Sequence, residues 1–199
     1  MNRKFNGFNP QPKKGTMFTL DKSRSLFLDR DGIINRRLPG AYVRVWEEFE
    51  WLPGALEALA GLTRRAGRAF VVTNQQGVGK GLMTEEALAG IHARMRREVE
   101  RAGGRIDAVY HCPSLASEVP NCRKPNPAMA RWAQADFPEV DFRRSVMVGD
   151  SLSDMQFGQA LGMATVLVAT KTDEMEDIQA AIGRGLKIGA RFGSLLEFY

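Results

Sequence analysis

The sequence predicts a single α/β domain: a doubly wound parallel sheet of about five strands with helices on both faces. Three observations lead there. Short apolar runs alternate with helical patterns along the chain, the signature of successive βαβ units. At 199 residues the chain is most simply one domain with a sizeable core. Several of the apolar runs end in acids, hydroxyls or amides, as strands do when their carboxyl edge opens into a site.

The elements follow in order. The stretch SLFLDRDGIIN, residues 25–35, holds the apolar run Leu26, Phe27 and Leu28, which stops at Asp29; Asp31 and Gly32 come directly behind it. Read alone, it is either a strand meeting an ordinary Asp/Gly turn or a strand opening into a site. Strands are expected at 25–28, 69–73, 108–111, 145–149 and 165–169. Helices are expected between them. Residues 53–65 carry Leu56, Leu59 and Leu62 on one face, with Pro53 suited to a first turn. Residues 84–102 start with a capping Thr84 and two glutamates and stop at Gly103–Gly104. Shorter helices are expected at 127–136, 152–161, 173–182 and near 194–198. Connections in such a Rossmann-like sheet are right-handed. The irregular stretches 36–51, 75–83 and 112–125 each follow a strand, so they should crowd the carboxyl edge around Asp29.

Composition excludes several classes. Hydrophobic residues at 44% and charged residues at 26% are ordinary for a globular domain. No apolar run approaches the roughly 20 residues of a bilayer span, so no membrane is expected as a partner. No apolar stretch follows the N-terminal basic residues, so no secretory signal is expected, and the default location is the cytoplasm. The net charge of +5 is carried by one segment. Residues 1–24 hold Arg3, Lys4, Lys13, Lys14, Lys22 and Arg24 against Asp21, and the remainder holds 22 residues of each sign. Residues 1–22 are therefore expected to form a flexible basic extension of a catalytic domain at 23–199. A neutral body argues against nucleic acid as a partner.

Four strand ends supply chemistry. The first gives Asp29 and Asp31; the second gives Thr73 and Asn74. The loop beyond the third gives Arg123 and Lys124, and the fourth gives Asp150, Ser151 and Asp154. This set suits phosphoryl transfer from a monoester. A carboxylate can be the nucleophile, and hard oxygen ligands such as Asp29 and Asp150 suit Mg²⁺, which screens the phosphate charge. A hydroxyl and a lysine can hold phosphoryl oxygens. A second acid, Asp31, can protonate the leaving oxygen and later activate water. Thr73 could instead simply end a strand, and Asp154 could cap the following helix.

DRDGII, VVTNQ, CRKP and VGDSLSD, in that order, resemble the four motifs of haloacid dehalogenase-like (HAD) phosphatases over about residues 25–170. The variants look most like the small branch without a cap domain, which includes heptose-1,7-bisphosphate 7-phosphatases and histidinol phosphatases. The resemblance implies Asp29 as nucleophile and metal ligand, and Asp31 as general acid/base that also lends its backbone carbonyl to the metal. It implies Thr73 and Asn74 as phosphoryl binders, Lys124 as charge stabiliser and Asp150 as the other metal ligand. Asp154 would support the metal shell or orient Lys124, while Gln75 and Arg123 would face the substrate. The expected partner is a small phosphorylated metabolite acted on by a monomer.

One departure concerns zinc. Many members of the branch carry Cys-x-His followed by Cys-x-Cys-Arg-Lys-Pro. Here Cys112 and Cys122 keep the outer places, while Ser114 and Pro120 occupy the inner ones. Two thiolates do not close a tetrahedral site, and His111 should lie on strand pairing, so no structural zinc is expected. In a reducing compartment no disulfide is expected either. QGVGKG, residues 76–81, fails the P-loop pattern at both ends and reads as a loop bordering the site. His92 reads as a helical surface or packing residue, and Trp46 and Trp51 as packing or entrance residues. The alternatives to a heptose bisphosphate phosphatase are a histidinol-phosphate phosphatase and a polynucleotide-end phosphatase. From a different class, a non-catalytic binding protein on the same fold would be expected to have lost an acid or the lysine.

Overall fold

The computed structural model describes residues 19–171 and 173–199. Its six strands are β1 (Ser25–Leu28), β2 (Arg68–Asn74), β3 (Ala108–Cys112), β4 (Val146–Gly149), β5 (Ala164–Val168) and β6 (Ala190–Phe192). All neighbours pair in parallel in the order β3-β2-β1-β4-β5-β6. The helices are α1 (Ala55–Arg65), α2 (Gln76–Gly79), α3 (Glu85–Arg101), α4 (Ala128–Asp136), α5 (Leu152–Ala160), α6 (Met175–Gly183) and α7 (Leu195–Phe198). The expected α/β class holds, with six strands against about five. The extra strand, Ala-Arg-Phe, is a partly exposed edge of three residues, too short to register as an apolar run. Residues 75–83, expected as loop, contain the single turn α2.

The strands β1, β2, β4 and β5 are buried on both faces, and period-two alternation sorts their side chains between two cores. Leu26, Leu28, Val71 and Val148 point to one face with Leu59 of α1 and Met95 and Val99 of α3. Phe27, Phe70, Val72 and Met147 point to the other with Met129 of α4 and Phe157 of α5. At the β5 edge, Leu167 packs with Met155 of α5 and Ile178 of α6. Thr84 caps α3 by accepting from Ala87 N, as its sequence position predicts. Among the described residues no insert forms a second domain, and no helix is long and apolar enough to cross a membrane.

The strand order places the site. The chain runs outward from β1 through β2 to β3, then returns to the opposite side of β1 for β4, β5 and β6. The crevice at such a reversal is where open α/β sheets bind ligands. Asp29 follows β1 and Asp150 follows β4 at that edge.

Of the expected extension, residues 1–18 lie outside the described residues. Residues 19–22 are docked: Leu20 packs against the first core, and Lys22 Nζ donates to the Ala66 carbonyl at 3.4 Å. The same corner is closed by Arg105. Its guanidinium donates to the carbonyls of Thr63 at 2.8 Å and Ala66 at 2.9 Å, satisfying the exposed C-terminal carbonyls of α1. Replacing Arg105 by Met is expected to lower unfolding free energy by about 2 kcal/mol, with any activity of the folded protein unchanged. Denaturant titration with parallel activity assays checks both halves.

Candidate active site

Lys124 is the hub of the cleft. Its ammonium lies 2.7 Å from Asp29 Oδ1 and 2.7 Å from Asp154 Oδ1, and donates to the Val72 carbonyl at 2.8 Å. Two carboxylates and one carbonyl surround the ammonium, all in a buried setting. Burial works against the charge, but Asp154 and Asp29 outweigh it and hold the ammonium above its ordinary value. Asn74 fixes the backbone of this loop, accepting from Lys124 N at 2.9 Å and reaching its carbonyl at 3.4 Å. Asn74, expected as a phosphoryl binder, is thus seen holding the lysine in place.

Asp154 fulfils two of its expected readings at once. It is fully buried, pairs with Lys124, and closes a capping box with Ser151 at the start of α5. With one oxygen on the lysine and the other on Ser151 N and Oγ, it orients Lys124. Asp29 Oδ1 takes Arg30 N at 2.7 Å as well as the lysine. Among the described residues no hydrogen-bond donor reaches Oδ2, which is the oxygen left for a phosphorus atom or a cation.

Asp31 is held by three partners. Arg30 Nη2 donates to both carboxylate oxygens at 2.9 Å, Asn35 Nδ2 donates at 2.9 Å and Gln75 Nε2 at 2.8 Å. Burial opposes the charge of Asp31, but the Arg30 guanidinium and these hydrogen bonds more than offset it and hold the group below the usual carboxylate range. The second amide proton of Gln75 goes to Thr73 Oγ1 at 2.9 Å. Thr73 therefore accepts from Gln75, leaving its own hydroxyl proton for an incoming oxygen. Gln75 is 1% exposed. Expected to face the substrate, it lines the cleft and gives its amide protons to Asp31 and Thr73. Arg123 lines the cleft and steadies its loop by donating to the Ser114 carbonyl at 3.2 Å.

The donor set suits a hard divalent cation. Carboxylate oxygens of Asp29, Asp150 and Asp154 lie within 4.8 Å of one another, an all-oxygen cluster of the kind Mg²⁺ takes. Asp154 is already spent on Lys124 and Ser151, which leaves Asp29 and Asp150 as side-chain ligands. Burial first, then the neighbouring carboxylates, raises Asp29 to about 7 and Asp150 to about 8. That is the response of acids crowded together without enough positive charge. Gly32 makes the crowding possible. It sits at φ +91°, and a Cβ there would lie 2.0 Å from Asp150 Oδ2.

Sequence reasoning missed four contributors. Arg30 and Asn35 lie inside the opening stretch, where their neighbourhood was the available signal. Thr170 follows β5, and its hydroxyl lies 2.9 Å from the Gly32 carbonyl and 3.2 Å from Asp150 Oδ2. His92, expected at the surface or in packing, is buried on α3 with Nε2 3.1 Å from Arg30 Nη1. Neither Thr170 nor His92 belongs to a motif. The expectation about the cysteines is corrected: Cys112 and Cys122 form a disulfide. Compartment argued against it, but the loop 112–125 folds back so that the two Cα atoms stand 5.5 Å apart, within bridging range.

Acids at a sheet reversal with a buried lysine between them define a phosphoryl-transfer hydrolase. Residues 121–190 match the family model described as HAD-hydrolase-like. The chain belongs to the haloacid dehalogenase-like phosphatases. It is 41% identical to D-glycero-alpha-D-manno-heptose-1,7-bisphosphate 7-phosphatase of Mycobacterium tuberculosis, over 87% of this chain and 88% of that one. It is 35% identical to D-glycero-beta-D-manno-heptose-1,7-bisphosphate 7-phosphatase of Bordetella bronchiseptica, over 86% and 95%. A crystal structure of D,D-heptose 1,7-bisphosphate phosphatase from B. bronchiseptica, complexed with magnesium and phosphate, superposes with a TM-score of 0.73. It is 33% identical and covers 87% of this chain and 94% of that chain.

The raised acids set a pH dependence. In the metal-free fold, Asp29 and Asp150 keep protons that the unfolded chain releases near 3.8. Their stabilising contribution is complete below that value and is lost as pH rises through about 7 and 8. A cation competes with those same protons. The rise in Tm on adding Mg²⁺ is therefore expected to be larger at about pH 8.5 than at about pH 5.5. Thermal unfolding with and without chelator measures it, and equal shifts at both pH values would contradict the assignment.

Proposed function

We propose that this chain removes the 7-phosphate of D-glycero-D-manno-heptose 1,7-bisphosphate through a phospho-aspartate on Asp29. The observation that carries the chemistry is the contact of Lys124 with Asp29 and Asp154 beside Asp150. It gathers nucleophile, charge stabiliser and cation ligands at one strand edge. The substrate reading draws on the heptose bisphosphatases similar to this chain and on the rim of the cleft. That cleft, of about 440 Å³, is lined by Arg37, Lys80, Arg123 and Lys171. Arg37 pairs with Asp173 and Lys171 with Glu174. Lys80 and Arg123 have no carboxylate partner among the described residues, so they are suited to a second phosphate.

Asp29 attacks phosphorus and the ester P–O bond breaks, the leaving oxygen taking a proton from Asp31. Water then attacks the acyl phosphate, Asp31 takes its proton, and inorganic phosphate and the Asp29 carboxylate are released. Thr73, through its free hydroxyl proton, and Lys124 stabilise the phosphoryl oxygens throughout. Asp29, Asp150 and the Asp31 carbonyl would hold Mg²⁺, which would supply charge neutralisation between carboxylate and phosphate. We read the acting species as a monomer. The catalytic unit is residues 23–199, acting in the cytoplasm, with residues 1–22 as an extension.

Asp29→Asn is expected to reduce phosphate release by at least about 10³-fold, and chelation is expected to stop the native protein. Assays on both heptose anomers and on histidinol phosphate test the substrate. Preference for histidinol phosphate, or turnover by Asp29→Asn within about tenfold of native, would overturn the corresponding part.

A further inference from the structure

Arg30, beside the nucleophile, is 1% exposed. Its Nη2 is spent on Asp31, and its Nε has no hydrogen-bond partner among the described residues. On the far side, Nη1 lies 3.1 Å from His92 Nε2. A guanidinium only donates, so this contact fixes the tautomer of His92: Nε2 accepts with its lone pair, and the ring proton sits on Nδ1. The surroundings keep the ring neutral. Burial acts first, then the charge of Arg30 and the nearby His111, with ring centroids 5.9 Å apart, and together they hold His92 well below its ordinary value.

The guanidinium is thus pinned at two places, the Asp31 carboxylate and the His92 ring. Without the second, it can pivot about its bonds to Asp31 and draw the carboxylate with it. An acid at residue 92 would compete with Asp31 for the same cation, and a hydrocarbon would leave Nη1 buried without a partner. A neutral acceptor meets both constraints.

We propose that His92 is a positioning residue for Asp31, anchoring the far side of Arg30 so that the carboxyl stays aimed at the leaving-group oxygen. The proposal rests on the reading of Asp31 as proton donor. Its reach is through one intervening side chain, from a helix on the flank of the sheet to the acid at its edge.

The test uses a pair of esters that differ in their need for a proton. Nitrophenolate departs unaided, whereas phenoxide needs help. For His92→Phe, kcat/KM on phenyl phosphate is expected to fall about tenfold, and on p-nitrophenyl phosphate by no more than about twofold. His92→Gln, which keeps an acceptor, is expected to restore phenyl phosphate to within about threefold of native. Asp31→Asn is run beside them. If it does not separate the two esters, the reading of Asp31 fails and the proposal with it. If it does and His92→Phe does not, or if Gln gives no rescue, the role of His92 alone is overturned. Nitrogen NMR of the native protein needs no variant to fold. A bare, hydrogen-bonded Nε2 with the proton on Nδ1 is expected, and a proton on Nε2 would refute the anchoring contact.

Discussion

The buried ammonium of Lys124 is the constraint on which the site depends. An isolated charge taken out of water costs many kcal/mol, and a protein avoids that by pairing it or neutralising it. Here two carboxylates pair with it and one backbone carbonyl accepts from it. Each acceptor comes from a different part of the fold: the end of β1, the first turn of α5 and the strand β2. The lysine therefore ties three strand ends together from a loop that has no regular structure of its own. Asn74 repeats the tie at the level of the backbone. Such a knot is better at fixing geometry than at adding stability, because most of the attraction is consumed by desolvation.

Four aspartates lie close together in this setting, and their surroundings give them different work. Asp154 is fully committed to Lys124 and to the helix cap. Asp29 and Asp150 are crowded, under-compensated and raised, the electrostatic condition of cation ligands. Asp31 sits among an arginine and two amides and is lowered, the opposite response to crowding. Gln75 links two of these side chains, with one amide proton on Asp31 and one on the Thr73 hydroxyl. The same residue type thus meets different electrostatic surroundings because position sets its partners.

The sequence made the architecture legible where apolar runs were long and flanked by turn residues. Five of six strands and the main helices were readable for that reason. The sixth strand, Ala190–Phe192, was not, because a partly exposed edge of three residues carries no burial pattern. In the site, residues inside motifs were legible: Asp29, Asp31, Lys124 and Asp150 meet as their order predicts. Finer roles were not. Whether Gln75 faces a substrate or a neighbouring acid depends on side-chain direction, and spacing does not encode it. Thr170 and His92 act across contacts to residues far away in the chain, so a single sequence offers no local sign of them. The disulfide was misjudged because compartment was weighed in place of the return path of the loop.

The central position of β1 has a further consequence. It is hydrogen-bonded on both sides and buried along its whole length, so the strand that leads into Asp29 belongs to the part of the fold that opens last. Lys80, suited to a second phosphate, lies at the end of the single turn α2 on the rim of the cleft. Local fluctuations therefore reach selectivity before they reach chemistry. On gentle warming or in mild denaturant, this phosphatase would become indiscriminate before it became inactive.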